Sequence, residues 1–160
     1  MSSPVAVLAI VTAVGAGCTG GALYAFSSFV MPALERLPAS QAVAAMHSIN
    51  VTAVRAPFML AFSGTALLSL ALAVVAIASL GESWAPWLLA GAVLYLVGVF
   101  GLTMGFHVPR NDALAKLAVD APGTAQAWAT YLSEWTAGNH VRTAAGLLAA
   151  AAIAVGVKVA

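Results

Sequence analysis

Four long apolar runs limit what this chain can fold into. They cover about residues 5–31, 56–80, 86–108 and 137–158. Each is long enough to cross a hydrocarbon core of about 30 Å as a helix. Of the 160 residues, 62% are hydrophobic and 7% are charged, whereas a soluble domain has about 25% charged residues. We therefore expect an all-α fold, a single domain of residues 1–160 built as a bundle of four transmembrane helices.

The connections between the runs differ in length and pattern. Ser40–Asn50 has the spacing of a short amphipathic helix, and Thr124–Thr136 carries an aromatic and apolar stripe at helical spacing. Both segments follow runs that end on the same side, so we expect two short interfacial helices on one membrane surface. Pro32 and Pro109 are predicted to end the first and third spans, because an internal proline removes a backbone hydrogen bond.

The basic residues indicate an orientation. Five of the six lie at the ends that the long connections join, namely Arg36, Arg55, Arg110, Lys116 and Arg142, and only Lys158 lies at the opposite end. The positive-inside rule then places the long connections in the cytoplasm and both termini outside, in an inner or plasma membrane. No basic residue precedes the first run, which exceeds the length of a signal-peptide core, so we expect it to remain as a span.

Several function classes lack support in the sequence. A net charge of +1 without a basic run predicts no nucleic-acid partner. No Rossmann glycine fingerprint or P-loop occurs, so a bound nucleotide cofactor is not expected. The single cysteine, Cys18, can form neither an intrachain disulfide nor a cysteine-based metal site.

Small residues recur at helical spacing in the predicted spans. Such faces let two helices approach closely, so they predict packing between spans or a homo-oligomer formed through glycine-rich faces. The residues concerned are Ala13, Gly17, Gly21, Gly91, Gly98, Gly101 and Gly105.

Three polar patches interrupt the apolar pattern, all at the predicted cytoplasmic ends of the spans. They comprise His47, Asn50 and Arg55, then His107 to Asp112, then Trp135, Asn139, His140 and Arg142. Residues three or four apart share a helix face, so Trp135, Asn139 and Arg142 are expected to lie together. Bundle ends of this kind house ligand sites, and we expect one shared pocket.

The chemistry of these patches fits an organic active site. His140 is a candidate base, with Asp112 orienting it or serving as the base itself. Side chains that can stabilise a developing oxyanion, enolate or phenolate are Asn50, Asn111, Asn139 and Arg142. In the structural alternative, Asp112 forms an ion pair with Arg110 or Arg142 and the asparagines cap helices.

The histidines allow a second interpretation of the same pocket. Imidazole is a common ligand of transition metals, so a metal site of His47, His107 and His140 is an alternative. No pair of these histidines has the four-residue spacing of a helical metal motif.

Several segments of the chain resemble the anthrone oxygenase family of small four-span membrane proteins. The similar segments are residues 24–34, 46–50, 57–62, 108–114 and 135–143. The resemblance implies oxidation of anthrones to anthraquinones, and the positions it carries over are Asn111, Asp112, Trp135, Asn139, His140 and Arg142. Further candidate substrate contacts are Asn50, His107, Tyr24 and Phe58. His107 stands where the family pattern has asparagine.

Together these features predict a membrane-embedded oxygenase. It would oxidise an aromatic, anthrone-type molecule with O₂ in the cytoplasmic pocket and would need no cofactor. The alternatives are a protein that binds or transports a small molecule, a structural membrane protein, and a metal-dependent oxidase.

Overall fold

The computed structural model describes all residues 1–160 and contains five helices and no strand. The helices are α1 (Ser3–Glu35), α2 (Ala39–Ala53), α3 (Ala56–Ala78), α4 (Ala85–Ala115) and α5 (Thr124–Lys158). All but α2 are long and apolar enough to cross a membrane. The predicted all-α bundle of four membrane-spanning helices is confirmed, and the chain is an integral membrane protein.

The four long helices form a ring. Helix α5 packs along α1 and α4, and α3 packs on the other side of the same two helices. The short helix α2 lies against α5 and the ends of α1 and α4, so it closes one end of the bundle. At the opposite end, the Ser83 hydroxyl donates a hydrogen bond of 2.9 Å to the Val159 carbonyl, which holds the α3–α4 turn beside the C-terminus.

Close packing of α5 against its neighbours depends on glycines. A Cβ atom added at Gly20 of α1 would lie 3.1 Å from the carbonyl carbon of Gly146 in α5. One added at Gly91 of α4 would lie 2.9 Å from a backbone oxygen of α5. By contrast, Gly101 and Gly105 are exposed and contact no other helix of the chain, so the predicted GxxxG face does not pack within the bundle.

The prediction that Pro32 and Pro109 end their helices is wrong. Each proline follows a π-helical stretch, Phe26–Val30 in α1 and Thr103–His107 in α4. The residue before each proline donates its N–H to the carbonyl five positions earlier rather than four. When the helix returns from five-residue to four-residue hydrogen bonding, one carbonyl is left without a partner in any case. The absence of an N–H on proline is therefore tolerated at that point.

The segment Thr124–Thr136 is not a separate interfacial helix but the first part of α5. No proline interrupts it, and a single glycine in a helix costs only about 1 kcal/mol. Its aromatic stripe of Trp128, Tyr131 and Trp135 is buried against α2 and the end of α1. The stripe therefore packs inside the protein and gives the closed end of the bundle its own core.

Candidate functional site

An apolar cavity of about 280 Å³ lies beneath α2, where α1, α3, α4 and α5 converge. Its walls are mostly apolar side chains, among them Phe26, Met46, Ile49, Phe58 and Phe62. The rings of Phe58 and Phe62 stack with their centroids 5.9 Å apart, so one wall is flat and aromatic. The predicted role of Phe58 as a substrate contact is compatible with this position.

Five residues with polar side-chain groups also line the cavity. They are Asn50 of α2, Thr103 and Asn111 of α4, and Trp135 and Arg142 of α5. The three polar patches of the sequence therefore each contribute to one cavity. Thr103 belongs to none of those patches and adds a hydroxyl from within the third span.

Arg142 is the central polar residue of the site. Its side chain is buried. Nη1 donates a hydrogen bond to the Thr103 hydroxyl (3.1 Å), and Nη2 donates one to the side-chain amide oxygen of Asn139 (2.7 Å). The guanidinium carbon lies 5.0 Å from the ring centre of Trp135, a cation–π distance. Among its other donors, Nε is buried and has no hydrogen-bond partner, and Arg142 is one of the residues that line the cavity.

No carboxylate neutralises this buried cation. The ion pair found in the chain joins Arg110 and Glu134 at 2.8 Å on the surface, so neither Arg110 nor Arg142 pairs with Asp112. Burying an arginine without an anion costs several kcal/mol. Arg142 also cannot count as a loop charge for orientation, although four of the five basic residues on that side remain in or beside the connections.

Asn139 holds Arg142 in place. It is fully buried, and its amide nitrogen donates to the Leu23 carbonyl and to the Ser27 hydroxyl of α1, each at 2.8 Å. Its carbonyl oxygen accepts the bond from Arg142 described above. Its amide nitrogen and oxygen are thus both engaged, and Asn139 is absent from the cavity lining. Its role is therefore to position the guanidinium.

Asn111 organises the neighbouring aromatic side chains. Its side-chain amide oxygen accepts hydrogen bonds from the Tyr131 hydroxyl (2.8 Å) and from the Trp135 indole N–H (3.1 Å). Both aromatic residues are buried. The asparagine therefore fixes the indole ring that forms part of the cavity wall.

His107 supports the same indole from outside the cavity. It is buried, its ring meets Trp135 edge-on at 5.2 Å, and its Nε2 lies 3.3 Å from the Trp135 carbonyl oxygen. Its Nδ1 lies 3.3 Å from the Leu102 carbonyl. His107 is absent from the cavity lining, so the structure gives it a packing position and not the expected substrate contact.

Three further predicted site residues lie away from the cavity. His140 and Asp112 are exposed, and Tyr24 is 57% exposed on the outer face of α1. His140 borders a surface groove between α1 and α5 instead. Because it follows Asn139 directly on the helix, its side chain is turned about a hundred degrees from the Asn139 face.

The predicted three-histidine metal site does not form. The His47 Nε2 donates to the Leu114 carbonyl at 2.8 Å, His107 is enclosed beside Trp135, and His140 faces outward. No group of three or more His, Cys, Asp or Glu side chains is arranged to hold a metal ion.

Sequence reasoning missed the contributions of Ser27, Thr103 and Tyr131. Ser27 and Thr103 belong to two of the three π-helical stretches, Phe26–Val30 and Thr103–His107, the third being Leu94–Gly101. In such a stretch a widened turn changes which side chains face inward. The sequence carries no signal for that change except the prolines that come next. Tyr131 is four residues before Trp135, so its helical spacing was visible, but its bond to Asn111 was not.

Comparison with known proteins identifies one family. The family model described as anthrone oxygenase matches residues 58–152, which include most of α3, all of α4 and most of α5. No curated protein matches the chain, and no solved structure matches it.

Proposed function

This chain belongs to the anthrone oxygenase family, and we propose that it oxidises an anthrone-type aromatic molecule with O₂ in the cavity beneath α2. Membership supports an oxygenase role in a membrane protein. The substrate class and the site are supported by the shape and charge of the cavity.

The unneutralised charge of Arg142 is the observation that carries this proposal. A buried guanidinium with a free Nε beside an apolar cavity favours an anionic ligand with a large apolar body. The Asn50 amide nitrogen is likewise buried without a hydrogen-bond partner, and Asn50 is one of the residues that line the same cavity. An aromatic enolate or phenolate fits both features, with its oxygen at these donors and its rings between the apolar walls.

The reaction is then set by the chemistry of the ionised substrate. Loss of a proton from the CH₂ group of an anthrone gives an electron-rich enolate, which reduces O₂ by one electron. Recombination forms a carbon–oxygen bond, and the O–O bond then breaks. One oxygen atom becomes the new ketone, and the other leaves as water with the two hydrogens of the original CH₂ group. The protein stabilises the enolate electrostatically.

The cavity lining contains no carboxylate and no histidine. We infer that Arg142 and Asn50 promote ionisation by binding the anion, and that the proton leaves to water. This differs from a mechanism with His140 or Asp112 as base. Both of those side chains are exposed and neither lines the cavity, so each would have to act from outside it.

The proposed reaction requires neither a nucleotide nor a resident metal. The electron donor is the substrate itself, and the donor set around the cavity consists of amide, hydroxyl, indole and guanidinium groups. We further propose that the long connections face the cytoplasm, so that the cavity lies near the cytoplasmic leaflet. This orientation is supported by Arg36, Arg55, Arg110 and Lys116 on that side.

Oxygen uptake by the purified protein tests the function. Protein in lipid nanodiscs is mixed with an anthrone under air, and O₂ consumption and anthraquinone absorbance are measured against the spontaneous oxidation in empty nanodiscs. We expect acceleration with one O₂ consumed per anthraquinone formed, unaffected by a chelator. Saturable binding without acceleration would identify a binding protein, and neither binding nor acceleration would refute the proposed ligand class.

A further inference from the structure

A second, open groove of about 520 Å³ adjoins the cavity on the outer surface of the bundle. The groove lies between α1 on one side and α2 with the start of α3 on the other. Five residues line both the groove and the cavity, namely Ala22, Phe26, Ile49, Ala53 and Phe58. The two spaces therefore share part of their walls.

The three larger side chains in this shared wall are not fully buried. Phe26, Ile49 and Phe58 are all partly exposed rather than buried. Exposed side chains change rotamer in picoseconds to nanoseconds. Rotation of these three side chains would join the groove to the cavity without moving a helix.

The groove opens on the lipid-facing side of the bundle. Nearby residues in the chain are large, apolar and exposed, including Val51 (62%), Leu60 (73%) and Phe29 (62%). Arg55 lines the groove at the start of α3, is exposed and has no ion-pair partner. A basic residue at the end of a span lies at the level of the lipid headgroups, so the groove opens just below that level.

We propose that this groove is the entrance of the cavity, through which the substrate passes directly from the bilayer. The inference rests on the proposed function, because its occupant is the same planar aromatic molecule. Such a molecule partitions into lipid, and the groove offers it an apolar path of a few side chains. Phe26, Ile49 and Phe58 form the gate, and the bound molecule lies behind it beside Arg142.

The rim of the groove can be blocked without changing the cavity. Ser48 and Thr52 are exposed or partly exposed, lie one helical turn apart on α2, and line the groove but not the cavity. The test variant is therefore Ser48→Phe with Thr52→Phe. The matched control is Val51→Phe, an exposed position on the same helix that lines neither space.

The experiment measures ligand binding by stopped-flow quenching of tryptophan fluorescence, with Trp135 of the cavity wall as a reporter. The probe is a hydroxylated anthraquinone, and the protein is in nanodiscs. For the blocked variant we expect association and dissociation to slow by about tenfold each while Kd changes by less than about twofold. A gate outside the binding site must slow both directions equally. The Val51→Phe control should retain the native rates.

Native association and dissociation rates in the blocked variant would refute the proposal that the groove is the entrance. So would a weaker Kd with an unchanged association rate, because the rim would then belong to the binding site. If the native protein neither binds the anthraquinone nor accelerates anthrone oxidation, the proposed function fails, and that result is separate from any effect of the rim.

Discussion

Replacing Arg142 with methionine should separate activity from stability. The substitution removes a buried cation that has no carboxylate partner and keeps a side chain of similar length. Relief of the unpaired charge is worth several kcal/mol. It offsets the lost hydrogen bonds to Asn139 and Thr103, at about 1.5–3 kcal/mol each for a charged donor. We therefore expect a thermal unfolding midpoint in detergent that is not lowered.

The same substitution should strongly reduce turnover. An electrostatic donor to a developing oxyanion is worth about 2.7–4 kcal/mol, or about a 10²–10³-fold loss in kcat/KM at about 1.36 kcal/mol per tenfold. Arg142→Lys keeps the charge but offers one nitrogen in place of three, so we expect an intermediate loss of about tenfold. Oxygen uptake and anthraquinone formation provide the assay.

Arg110→Met is the matched control, because Arg110 forms a surface ion pair with Glu134 that is worth about 1 kcal/mol or less. Turnover of that variant should stay near the native value. A structural role for Arg142 predicts the opposite pattern from the one expected here. In that case Arg142→Met would lower the unfolding midpoint, and turnover would fall only in proportion to the folded fraction.

Three other sets of substitutions test separate parts of the structure. Asn139→Leu removes three buried hydrogen bonds, so it should lower the free energy of unfolding by about 3 kcal/mol and also reduce turnover, as measured by thermal unfolding and O₂ uptake. His140→Ala and Asp112→Ala remove exposed side chains outside the cavity and should leave kcat/KM nearly unchanged. A large loss of kcat/KM in either variant would identify that residue as the base and contradict the transfer of the proton to water. Gly91→Ala should destabilise the fold by about 1–3 kcal/mol, because the new methyl group would lie 2.5 Å from a side-chain carbon of α5. Its counterpart Gly64→Ala meets nothing within 4 Å and should be neutral or stabilising in thermal unfolding.

Hydrophobic patterning was sufficient to predict the bundle, because four long apolar runs in a weakly charged chain allow few other folds. Helical spacing also predicted that Trp135, Asn139 and Arg142 share a face, and the structure joins Asn139 to Arg142 directly. Spacing could not show that the Asn139 amide nitrogen bonds to α1, or that His140, the next residue, faces away. Those outcomes depend on which neighbouring helix meets each face of α5, a tertiary property that no local pattern encodes.

The prolines give a more specific reason for the part of the site that the sequence could not reveal. Taken by themselves, Pro32 and Pro109 indicate helix ends, since an interior proline costs about 3 kcal/mol. In the structure each comes after a π-helical stretch, and those stretches carry Ser27 and Thr103, two of the hydroxyls that bond to the Asn139–Arg142 pair. A π turn adds a residue and rotates the rest of the helix by about a hundred degrees.

A continuous α-helix through either region would therefore turn the subsequent residues to different faces. Asn111 lies beyond both π stretches of α4, Leu94–Gly101 and Thr103–His107, so its contacts with Tyr131 and Trp135 depend on their combined rotation. The residues that looked like helix breaks instead mark where two membrane helices change register. That change allows α4 to supply a hydroxyl to the buried arginine and α1 to supply one to Asn139, while both helices continue to the end of the bundle.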